Sequence, residues 1–171
     1  MTRPAALGVL LVTLVLGLPQ MAAAQRKPPA PGGAADQISL SIDTRVGNKK
    51  YTGNGTGTCR HADDASIHGV SAAVWTVQFE SPKSSLKRLS LTLWRPKDGS
   101  PDQLSLAFDT KAGAHRIQTG TPAGNAGEGS VTILPSGPGG RLEISGKESE
   151  GKPVQIAIEC SGFADIEAEG G

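Results

Sequence analysis

Aromatic side chains are scarce in this chain. Three Phe, two Trp and one Tyr make up 4% of 171 residues, so a core has to be filled by Leu, Ile and Val. Cysteine is as rare, with only Cys59 and Cys160, which allow one internal bridge and no more. Charge is balanced: 17 Lys and Arg stand against 16 Asp and Glu, and no basic excess argues for a nucleic-acid partner. No stretch beyond residue 24 keeps a helical period over three turns, which removes helical fold classes. The one long apolar run, Ala5 to Leu18, is shorter than the ~20 residues that span a bilayer.

That run has a different reading. It follows the short basic start Met1-Thr2-Arg3-Pro4 and leads into Ala22-Ala23-Ala24 ahead of Gln25. Basic, apolar and small-residue regions in that order make residues 1–24 a secretory signal, cleaved before Gln25. No cysteine lies near the cleavage point to accept a lipid. The mature chain is therefore expected to be exported, to the periplasm or beyond the cell, with no transmembrane segment. Residues 25–36 hold Pro28, Pro29, Pro31, Gly32 and Gly33 and nothing worth burying, so they form a flexible linker. One domain is expected over 37–163, followed by an acidic tail, 164–171, that frays.

Within the domain the ruling signal is alternation of apolar and polar residues, the mark of strands with one buried face. Ile38, Leu40 and Ile42 show it first, then Trp75, Val77 and Phe79. Leu89, Leu91 and Leu93 follow, then Leu104, Leu106 and Phe108. Val131 with Ile133, Leu142 with Ile144, and Val154, Ile156, Ile158 and Cys160 complete the series. Between Tyr51 and Cys59 the same parity is held by Gly53, Gly55 and Gly57, so that strand packs by close backbone approach or bends sharply. Short turn sequences such as Gly47-Asn48 and Ser136-Gly137-Pro138-Gly139-Gly140 join these runs, as suits antiparallel neighbours. The expectation is an all-β domain of about eight or nine strands, an antiparallel sandwich or a closed barrel.

An exported chain with two cysteines is expected to bridge them, Cys59 to Cys160; two buried thiols or an intermolecular bond are the alternatives.

Chemistry-bearing residues concentrate in two places. The first is Arg60-His61-Ala62-Asp63-Asp64-Ala65-Ser66-Ile67-His68. His61, Asp64 and His68 offer nitrogen and oxygen ligands of the kind zinc takes, but their spacing fits no established ligand motif. A solvated connection with a turn-capping aspartate is the plainer reading. No nucleophile elbow or metalloprotease signature occurs, and His115 falls on the parity of Ile117, at the border of the core. The second place is the strand from Leu86 to Arg95. With Leu89, Leu91 and Leu93 facing the core, Leu86, Arg88 and Trp94 fall on the opposite face. Trp94 and Arg95, with Lys87, Arg88 and Lys97, form a contact surface for a protein, a glycan or an anionic lipid headgroup. The opposing reading is an edge strand guarded by lysines, with Trp94 covered by a loop.

Two segments resemble the mycobacterial surface lipoprotein antigen family. One is Gly47-Asn48-Lys49-Lys50-Tyr51-Thr52-Gly53 running to Cys59; the other is Gly124-Asn125-Ala126, then Leu142-Glu143-Ile144-Ser145-Gly146 and Val154 to Cys160. They cover about a third of the chain. The lipid-acceptor cysteine is lacking and the region from Trp75 to Trp94 departs. The resemblance implies a disulfide-closed β domain at the cell envelope, without catalytic residues. The function expected is a non-catalytic exported domain that binds a partner and needs no cofactor. The alternative is a small secreted metal-binding protein or hydrolase using the His61–His68 segment.

Overall fold

A computed structural model describes residues 37–67, 69–120 and 126–166. The signal and linker expected over 1–36 lie outside these residues, as does His68. The order is β1 Ile38–Val46, β2 Lys49–Ile67, β3 Val70–Glu80, β4 Leu86–Pro96 and β5 Gln103–Thr110. Then come β6 Gly113–Thr119, β7 Glu128–Ser136, β8 Gly139–Lys147, β9 Pro153–Cys160 and the short β10 Ala164–Asp165. β1 to β9 pair antiparallel in one continuous sheet, ordered β6-β5-β4-β3-β2-β1-β9-β8-β7.

Two-residue turns set much of this register. Val46 faces Lys49 across Gly47-Asn48, and Ser136 faces Gly139 across Gly137-Pro138. Gly47 and Gly137 both sit at φ 57°, a left-handed conformation that glycine adopts without strain.

The sheet rolls into a nearly closed barrel rather than a sandwich. The edge strand β6 meets the segment leading into β7 where Gln118 and Ala126 exchange two backbone hydrogen bonds, of 2.9 and 2.8 Å. Side chains finish the closure. Arg95 on β4 donates to the Val131 carbonyl on β7 at 3.1 Å. His115 on β6 stacks on Phe108, ring centroids 4.8 Å apart, and its Nδ1 lies 2.8 Å from Glu148 Oε1, just beyond β8. Nε2 of the same ring is 3.3 Å from the buried Thr110 hydroxyl. The His115 side chain is 9% exposed and that of Glu148 14%, so solvent does not replace this contact readily. Glu148→Ala is expected to cost about 1–3 kcal/mol, because Nδ1 loses its acceptor inside the protein. Denaturant titration checks the cost, and faster hydrogen exchange at Arg116 and Gln118 checks its place.

The inner face is aliphatic. Ile42, Leu89, Leu91, Leu93, Leu106, Phe108, Leu142, Ile144 and Ile158 are all 1% exposed or less. Glycine lets the wall bend. A Cβ at Gly53 would lie 2.6 Å from the Phe79 ring, so the bare glycine backbone is what gives that ring its place against β2. The Cys59 and Cys160 sulfurs are joined, with 6.3 Å between Cα atoms and β1 lying between the two bridged strands.

Three expectations need correction. Leu86 is not on the face of Arg88 and Trp94; it is fully buried in the main core. A register shift between Leu86 and Arg88 inserts one extra residue against β5, which turns Leu86 inward. The segment after Cys59 is not a connecting loop. β2 continues to Ile67, with a second shift between Ala62 and Ala65 that absorbs Asp63 and Asp64. The ordered chain also runs past Phe163, since Ala164 and Asp165 pair in parallel with Arg60 and His61. Among the described residues, no helix is long and apolar enough to cross a membrane.

Candidate functional site

The site follows from a mismatch in strand length. β1 pairs with β2 only from Lys49 to Gly57, whereas β2 runs ten residues further to Ile67. On that edge, the ladder partners described beyond Gly57 are Ala164 and Asp165 alone. Among the described residues, this end of the barrel therefore carries an unfinished strand edge, with side-chain clusters on both faces.

On the inner face, four side chains form a pile. Arg95 continues the inward parity of Leu91 and Leu93, and its guanidinium lies 5.5 Å from the Trp75 ring centroid. His61 stacks on Trp75, centroids 4.5 Å apart and planes 12° from parallel. Phe163 meets His61 edge-on at 6.1 Å. Stacked and cation–π contacts of this kind add of order 0.5–1.5 kcal/mol each beyond the area they bury. Asp102 holds Arg95 through its Nε, at 3.1 and 3.0 Å to the two carboxylate oxygens, and through its terminal nitrogen at 2.7 Å. These bonds keep the Arg95 pKa above its ordinary value, against the opposing effect of burial. His61 Nε2 is buried and makes no hydrogen bond. Asp63 Oδ1 lies 3.4 Å away but is poorly aligned, and the Asp63 side chain is 94% exposed, so this tie is weak.

On the outer face, Trp94 is 8% exposed and packs with Ala72 and Val74, under cover of Ala65 and Ile166. Asp64 accepts the Ser71 hydroxyl and sits 3.4 Å from Lys97. The Ser71 bond first, and Lys97 next, hold its carboxyl below the usual carboxylate range.

The residues singled out in the sequence thus divide. His61, Asp64, Trp94, Arg95 and Lys97 come together at this end, but not as one exposed surface. Trp94 is covered on the outer face, and Arg95, from the next position in the strand, turns inward. Lys87 and Arg88 lie at the other end of β4, both exposed, with Arg88 3.6 Å from Glu80 and 3.8 Å from Asp109. His61 and Asp64 do not converge: one stacks on Trp75 and the other reaches Ser71. Among the described residues, no group of three or more His, Cys, Asp or Glu is placed to hold a metal ion.

Trp75, Asp102, Phe163 and Ile166 belong to the site and were not singled out. Asp102 had a readable signal, because it lies across a short turn from Arg95. Ile166 had one too, as a branched apolar residue in an otherwise acidic tail.

A separate groove of about 430 Å³ lies on the barrel's outside, among Asp43, Lys50, Glu143 and Gln155. Its central guanidinium, Arg141, is already held by Glu143 at 2.8 Å and Glu159 at 2.6 Å. Compared with protein-family models, with curated proteins and with solved structures, the chain matches none.

Proposed function

We propose that the mature chain is a non-catalytic exported domain that binds a protein partner at the unfinished end of β2. The observation that carries this is the strand edge beyond Gly57, whose ladder partners among the described residues are Ala164 and Asp165 alone. An exposed edge is a row of backbone donors and acceptors, and an extended polypeptide matches that row better than a glycan or a lipid headgroup does. The polar groups around it speak against hydrolysis. Arg95 is committed to Asp102, His61 lies flat on Trp75, and Asp64 is engaged by Ser71 and Lys97.

Export is supported by the leader sequence of residues 1–24 and by the Cys59–Cys160 bridge, which is compatible with an oxidising compartment. A disulfide-closed β domain without catalytic residues is also what the resemblance to the mycobacterial surface lipoprotein antigens implies.

Site-specific photo-crosslinking tests the location. A crosslinking residue in place of Asp63 is expected to give saturable adducts with an envelope or secreted protein. The same residue in place of Gln155, in the outer groove, is expected to give none. Adducts from position 155 alone, or from neither position, overturn the reading.

A further inference from the structure

β2 needs an edge partner near Arg60 and His61, and the chain supplies one from its own end. Phe163 is anchored, its amide donating to the Pro138 carbonyl at 2.9 Å and its ring packed against the main core. Beyond it the hold is slight. Ala164 and Asp165 make a two-residue parallel ladder, and the Ile166 amide donates to the His61 carbonyl at 3.2 Å. Ile166 itself is only half-buried, yet it covers the cluster of Trp94, Val74 and Ala72 on the outer face. An indole so placed, under Ala65 and a branched side chain that reaches it from the β2 edge, has the layout of a strand-addition site. In such sites, backbone pairing supplies affinity and a pocket for an alternate side chain supplies choice. The present occupant shows what fits.

We propose that this edge and the Trp94 cluster form a strand-addition site closed in cis by Ala164–Ile166. The partner in trans is an extended peptide of the same pattern: a small residue, an acidic residue and a branched apolar residue in succession. The terminal segment acts as a resident competitor, lowering apparent affinity until it is displaced. This inference rests on the proposed function, of which it names the partner's chemistry.

The test uses the full chain and a fluorescent peptide of residues 164–171. Ile166→Asp, which weakens the cis occupant, is expected to bind the peptide at least tenfold more tightly than the unchanged protein. Amide shifts are expected at Arg60, His61 and Val74, together with a shift of the Trp94 indole proton. A peptide whose own isoleucine is replaced by aspartate is expected not to bind. If Ile166→Asp does not fold, as judged by circular dichroism, Ile166→Ala takes its place. Equal binding to both proteins, binding of the aspartate peptide, or no binding to a folded variant overturns the inference. In that event, adducts at position 63 still stand for the proposed function, whereas their loss removes both.

Discussion

Cys160→Ser is expected to lower the melting temperature by on the order of 10–20 °C. The two cysteines are separated by 101 residues. Leaving a loop of that length open returns roughly 4–5 kcal/mol of conformational freedom to the unfolded chain in the entropy model, and less if the denatured state retains structure. Domains hold only ~5–15 kcal/mol in total, and each kcal/mol moves the midpoint by roughly 2–8 °C at this size. The bridge is buried, with Cys59 fully covered and Cys160 5% exposed. Serine therefore also places a hydroxyl among apolar neighbours. Scanning calorimetry with and without reductant measures the effect. The unchanged protein in reductant is expected to melt close to Cys160→Ser, and equal melting of oxidised and reduced forms would rule the bridge out as a source of stability.

Trp75→Ala is expected to cost about 3–5 kcal/mol, the range for truncating a large buried aromatic side chain. Trp75 is 9% exposed and sits between Arg95 and His61 in the inner pile. Removing it opens a cavity, and also takes away the platform on which both of these side chains rest. Trp75→Phe keeps much of the volume and is expected to cost less than half as much. Denaturant titration with tyrosine or far-ultraviolet readout separates the two variants, since one of the two tryptophans is gone from each. A loss below about 1 kcal/mol for the alanine variant would mean that the barrel end collapses around the gap, and that the pile is not a fixed support.

What the sequence disclosed and what it hid have physical reasons. Alternation through Leu89, Leu91 and Leu93 locates a strand and its buried face, since the period of two is a local property. Leu86 defeats the same logic, because one extra residue in a bulge reverses parity and leaves no mark in a hydrophobicity pattern. The polar run from Arg60 to Ile67 reads as a loop, but it is held in a strand by β3, whose Trp75 and Val74 face His61 and Ala62. Neighbour choice decided that element, and local composition opposed it. The sandwich and the barrel share one alternation pattern; what separates them is the pairing of β1 with β9 and the meeting of Gln118 with Ala126. Trp94 and Ile166 are 72 positions apart in chain order, and nothing near Trp94 announces the side chain that covers it.

β1 has β2 on one side and β9 on the other, so the first strand is finished by the last long one. The hairpins from β2 to β6 can assemble as they emerge from a ribosome or a translocation channel. β1 must wait, one flank bare, until nearly the whole polypeptide has been delivered. Pairings between such distant parts of a chain form slowly. The interval before β9 arrives is therefore the period in which a nascent molecule is most exposed to sticking to its neighbours.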